Sequence, residues 1–326
     1  MLLTFNNHAS IPDKLNDFYE QAFSTLFNMH DATKDAYVRD IRTGLSCEDF
    51  KAMFAYICFK SYFRDEYEFT EVKLRNYIQE AKDKFDNIRF TVDDFQDDLT
   101  MSVCMLMKDG LNYRFAHRSF QEYFAAWYTC KLTDDIQQKL LTNWLKESNT
   151  VNTDSYFTML YNMQSEKVNK IIFAPGIREI KQKLDLEGYN FEFYNFLFKG
   201  ISVRKYVSRI ENGIAEEKYR LSLGIKERYY CSILMMTCRL NGYSYNDINK
   251  EVQEKVALTL SKSNVDKIED EYILFDDAIK EVGEDELYSA FEWFKNQLNF
   301  VFDVLNKCEN NTIGRKKKVA SILDEL

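Results

Sequence analysis

"YRFAHRSFQEYFAAWY", Tyr113 to Tyr128, is the stretch on which the reading of this chain turns. It carries one of only three histidines, placed directly before a helix start. Upstream, "SVCMLM" is a short apolar run and Lys108-Asp109-Gly110 is turn chemistry. Leu111, Tyr113 and Phe115 then alternate with Asn112, Arg114 and Ala116. This pattern predicts a strand, a tight turn and a second strand that ends at His117. Ser119 and Glu122 have capping-box spacing. Phe120, Tyr123, Phe124, Trp127 and Tyr128 then form the apolar face of a helix. Two readings of His117 stay open: it continues the apolar strand face and packs against Trp127, or it touches a ligand.

Working outward, the chain is helical on both sides. Ser10-Ile11-Pro12-Asp13 gives capping residues and a first-turn proline. Leu15, Phe18, Tyr19, Ala22, Phe23, Leu26 and Phe27 follow as one apolar stripe. "GLSCEDF" opens a second helix with Ser46 and Asp49 as its cap, burying Phe50, Met53, Phe54, Ile57 and Ser61 or Tyr62. A third starts near Thr70 and buries Leu74, Tyr77, Ile78, Ala81 and Phe85, and Thr91 with Asp94 caps a short helix bearing Phe95 and Leu99. Residues 46–132 therefore make a winged-helix-like module with one β-hairpin. Asn149 to Asp154 is polar and without apolar period, a candidate linker. Residues 133–326 read as a C-terminal α-helical sensor or interaction domain, with helices over Tyr156 to Ile172, Ile177 to Leu186 and Asp285 to Leu305. Two prolines and 10 glycines are too few for the turns of a sandwich, a barrel or a run of βαβ units, so the fold class is mostly α.

Composition and missing motifs exclude much chemistry. A hydrophobic share of 45 % suffices for a sizeable core. The net charge of −9 argues against a nucleic-acid or anionic-membrane surface, and the basic run Arg315 to Lys318 reads as a solvated helix start. Seven scattered cysteines form no CxxC pair and point to a reducing, cytoplasmic location. No apolar run approaches a membrane span. The chain has no GxxxxGK[ST], GxGxxG, GxSxG or HExxH motif. Asp93-Asp94, Asp97-Asp98 and Asp134-Asp135 read as helix-start carboxylates that favour the dipole. Alone, the chain is expected not to be an enzyme and to have no catalytic or metal-binding residues.

Phe115-x-His117-Arg118-Ser119-Phe120-Gln121-Glu122-Tyr123-Phe124-Ala125-Ala126 resembles the signature at the winged-helix junction of NACHT-family STAND NTPases. This superfamily includes NLR-type immune receptors and bacterial antiphage proteins. "LLTFNNHASIPDKLNDFYEQAF" is similar to the segment closing a NACHT core, with Ile11-Pro12 and Phe18-Tyr19-Glu20 in place. The resemblance covers residues 1–132 and makes 1–45 the end of the helical domain following that core. It implies that the P-loop core is absent from this chain, whether upstream or on a partner chain. It also implies that His117 contacts the phosphate of bound ADP or ATP and holds a closed state. ATP or ADP with Mg²⁺ belongs to the complete architecture; none is expected for this chain alone. Further implied are a protein or phage-derived trigger, oligomerisation when complete, and a role in signal detection or antiviral defence. A stand-alone helical adaptor is one alternative. A winged-helix DNA-binding regulator using Arg114 and Arg118 is another, against which the net acidity argues.

Overall fold

The computed structural model describes residues 14–28, 41–85, 87–147, 153–209, 215–244, 250–263, 267–268 and 272–324. The Ser10–Asp13 cap and the side chains of the Arg315–Lys318 run lie outside them, and that run is not a helix start, since its backbone lies inside a helix spanning Glu292–Asp324. The described part of the fold is mostly helical, with one three-stranded and one four-stranded antiparallel sheet. The chain divides into two compact units, one of Met1–Gln137 with Thr150–Ser165, the other of Gln138–Asn149 with Glu166–Leu326. None of its described helices is long and apolar enough to cross a membrane.

In the first unit α1 (Leu15–Asn28), α2 (Cys47–Tyr62), β1 (Glu68–Thr70), α3 (Glu71–Lys84) and α4 (Val92–Asp97) precede the hairpin of β2 (Leu106–Asp109) and β3 (Asn112–Phe115), and α5 (Arg118–Thr129) follows. The predicted caps Ser46 and Thr91 form, accepting the N–H groups of Asp49 and Asp94 at 3.1 Å each, and Thr70 caps the third helix by accepting that of Lys73 at 3.4 Å. Each satisfies an N–H that the helix leaves without an internal partner. The α2 stripe is fully buried as its spacing predicts, and Phe54 packs edge-on to Phe124 of α5 with ring centroids 4.8 Å apart. Phe23 of α1 meets the same ring at 5.1 Å. β1 adds to the free edge of β3, pairing Phe69 with Tyr113.

Three local expectations are corrected. The "SVCMLM" run is not a strand at its start: Asp98–Ser102 forms a π-helical turn, and β2 begins only at Leu106. Leu111 is not on the apolar strand face. It sits in the two-residue turn with Gly110, whose φ of +61° suits glycine, and is 88 % exposed. Asp98 is not a solvated helix-start carboxylate. It is fully buried and accepts hydrogen bonds from the N–H of Arg42 (2.8 Å), the N–H (2.9 Å) and hydroxyl (2.7 Å) of Thr43, and the Ser102 hydroxyl (3.0 Å).

α6 (Asp134–Glu147) and α7 (Tyr156–Val168) each carry residues of both units, and α7 is broken at Gln164 (φ −151°, ψ 52°), next to the division. Of the stretch read as a linker, Asn149 to Asn152 lie outside the described residues. Asp154 is buried and accepts the Tyr62 hydroxyl at 2.7 Å, and Tyr62 stacks on Tyr156 at 4.5 Å.

The second unit continues through a π-helical turn, Asn169–Phe173, into α8 (Ala174–Glu187) and α9 (Phe191–Leu197). Then come two strands that the sequence reading did not anticipate, β4 (Phe198–Arg209) and β5 (Ala215–Ile225), followed by α10 (Arg228–Leu240), α11 (Lys250–Lys262), β6 (Lys267–Ile268), β7 (Tyr272–Ile273), α12 (Phe275–Val282), α13 (Glu284–Ser289) and α14 (Glu292–Asp324). Its core centres on Tyr194, stacked on Tyr288 at 4.8 Å beside Phe275, Phe291 and Phe294. β4 and β5 pair in register from Ile201↔Leu223 to Arg209↔Ala215, whereas β7 meets β4 only at Ile201↔Ile273. The base of this ribbon is buried at Phe198, Ile201 and Leu221; Arg204 through Val207 and Arg220 are exposed.

Candidate functional site

The hairpin and the start of α5 place His117. Pairing runs one bond past β3, because the Ala116 N–H donates to Met105 O at 2.9 Å, and the chain then turns into the helix. His117 is the N-cap residue, extended at φ −149° and ψ 132°, and its Nδ1 accepts the Ser119 N–H at 3.2 Å. The expected Ser119–Glu122 capping box is therefore replaced. His117 provides the cap, and Glu122 turns inward.

His117 is exposed, so it does not continue the buried face of Tyr113 and Phe115. A ring nitrogen that accepts a hydrogen bond carries no proton of its own. The neutral ring's proton is then on Nε2, which is left as a donor. A donor at a helix N-terminus is suited to an anion, because free N–H groups and the helix dipole act in the same sense. The residues present thus fit a contact to a phosphate oxygen. One imidazole donor orients such a group rather than holding it alone. Among the described residues no three His, Cys, Asp or Glu side chains are grouped to hold a metal ion.

Around His117 the polar side chains are engaged. The Arg118 guanidinium lies 4.1 Å from the centre of the Tyr67 ring and pairs with Glu122 Oε1 at 3.4 Å. Arg114 pairs with Asp109 at 3.3 Å. Glu122 is almost fully buried, and its Oε2 accepts the Ser155 N–H at 3.1 Å. Burial raises the pKa of its carboxyl above the ordinary value, a shift that Asp154 adds to and that the Ser155 N–H and Arg118 oppose.

The structure brings together the two stretches that carry the sequence resemblance. Tyr19 of α1 packs edge-on against Phe120 at 5.1 Å and stacks on Tyr123 at 6.0 Å. Glu20 accepts the Tyr123 hydroxyl and pairs with Lys51, whose ammonium lies 4.7 Å from the Trp127 ring centre. Sequence reasoning missed this polar cluster. Its one signal is a charged residue inside an apolar stripe: Lys51 beside Phe50 and Met53, and Glu122 beside Tyr123 and Ala126.

Residues 161–326 match the model of the Short NACHT-associated C-Terminal domain, family 7. The chain belongs to this family. No curated protein matches it, and neither does any solved structure. The short NACHT-associated C-terminal domain thus begins within α7 and takes in the unforeseen β4–β5 ribbon and every element after it. The His117 stretch precedes the matched span.

Proposed function

We propose that this chain is the regulatory, C-terminal side of a NACHT-family STAND NTPase. Residues 46–132 act as its winged-helix switch, and the family domain receives the signal. The match over residues 161–326 is the observation that carries this reading. It is supported by the order of elements around β1-β3-β2, which is that of a winged helix, and by a histidine exposed at a helix start where the resemblance expects a phosphate contact. ATP or ADP, with Mg²⁺, would be held by a NACHT core, upstream or on a partner chain. In the closed state His117 Nε2 would donate to a phosphate of that nucleotide. Because the contact exists only when switch and core are docked, it biases the equilibrium toward the docked state. The signal is a protein or phage-derived trigger, and its recognition would favour the open, oligomerising state.

The test uses the chain together with a NACHT core. His117→Ala removes both the cap and the phosphate donor, whereas His117→Asn keeps a good N-cap and removes the imidazole. Both variants are expected to retain ADP more weakly, by roughly 10- to 150-fold for one hydrogen bond to a charged group. Only His117→Ala should lose stability, about 1 kcal/mol. Unchanged ADP affinity in both variants would overturn the proposed contact.

A further inference from the structure

We propose that the outer part of the β4–β5 ribbon binds single-stranded nucleic acid. The net charge of −9 is a property of the whole chain and conceals a local concentration of the opposite sign. Arg204, Lys205 and Tyr206 on β4 face Arg220, Tyr219 and Lys218 on β5, so these three rungs hold four cations and two tyrosines. Glu216 and Glu217 come only further out, opposite Ser208 and Val207.

Strand alternation sorts these residues by face. Ser202 and Ser222, Arg204 and Arg220, Tyr206 and Lys218 are successive cross-strand pairs on one side. Arg204 and Arg220 stand directly opposite one another and are exposed, and neither forms an ion pair with any described residue. Like charges directly opposite destabilise a ladder. Protecting a sheet edge calls for charge but not for two arginines on one face, and a bound anion would turn their repulsion into attraction.

Distance answers the objection from net charge. The last β4 residue paired to β7 is Ile201, so Arg204 lies about 10 Å and Tyr206 about 17 Å further along the strand. The Debye length at physiological ionic strength is about 8 Å, so charges further than that from the arginine pair are largely screened. Tyr206 decides between polyanions. It is 44 % exposed beside the arginine pair, and an exposed ring interleaved with cations offers a base a surface on which to stack. An acidic peptide has no use for such a ring, and a duplex keeps its bases stacked internally.

The experiment uses the whole chain and a fluorescein-labelled oligouridylate of about 20 nucleotides, followed by fluorescence anisotropy. Binding is expected, and with the Arg204–Arg220 pair neutralising two phosphates it should weaken about sevenfold between about 50 and 200 mM salt. Arg204→Glu/Arg220→Glu should abolish it. Tyr206→Ala should weaken it about tenfold and leave the salt dependence unchanged. Should the charge reversal unfold the protein, as circular dichroism would show, Arg204→Gln/Arg220→Gln takes its place and should flatten the salt dependence. Lys139→Glu, an exposed reversal elsewhere, should have no effect. The proposal is overturned by absence of binding, by an equal effect of Lys139→Glu, or by indifference to Tyr206→Ala. Equal competition by polyglutamate or by duplex RNA also overturns it.

Discussion

Asp98 shows how one side chain fixes a loop. Its carboxylate, fully out of water, receives two backbone N–H groups and two hydroxyls. Deleting the acceptor would leave those donors without a partner, and an unsatisfied buried group costs more than a hydrogen bond contributes. Asp98→Ala is therefore expected to destabilise the protein by about 3 kcal/mol, read as a lower urea midpoint with an unchanged slope. The sequence could not reveal this role, because Arg42 and Thr43 lie more than 50 residues away and nothing local distinguishes Asp98 from its solvated neighbours. His117 was legible in position, since a strand, a turn and a capped helix are all local patterns. Its exposure was not, because that depends on where β3 stops pairing.

At the scale of elements, the helices of the first unit follow their apolar periods and caps closely, whereas the β4–β5 ribbon was missed. Its signal was present: Tyr219, Leu221, Leu223 and Ile225 alternate with Arg220, Ser222 and Gly224, and Ile201 and Val203 with Ser202 and Arg204. The exposed outer half carries polar residues on both faces, which blurs the period of two where only one face of the base is buried. Glycines set the base of the ribbon. A Cβ on Gly200, at φ +156°, would lie 2.4 Å from the Ile273 carbonyl oxygen, and a backbone atom cannot swing aside. Gly200→Ala should force β4 away from β7 and cost roughly 2–3 kcal/mol, measured by chemical denaturation. The same variant should disturb the packing of Phe198 on Phe294, an edge-on contact at 5.1 Å.

For the molecule as a whole, Glu122 links stability to pH. Its folded-state pKa is raised by burial, so the folded chain takes up a proton there more readily than the unfolded chain. The resulting stabilisation is complete below the unfolded value of about 4.3 and is lost as pH rises through the raised one. Glu122→Gln does not titrate. The melting temperature of this variant relative to the parent should therefore climb as pH rises above the ordinary carboxyl range; a difference that stays flat would show the carboxyl to be unshifted. Glu122 also bears on synthesis, because its partner Ser155 belongs to the stretch that returns to the first unit after the chain has left it at Gln137. Domains tend to fold as they emerge from the ribosome, N-terminal part first. Here the first unit lacks Asp154, Ser155 and Tyr156 until the whole of α6 has been made, so a nascent chain paused before Asp154 would expose the Tyr62 ring and leave the Glu122 carboxylate without its N–H donor. The order of translation thus makes completion of the N-terminal unit wait for the C-terminal one to begin.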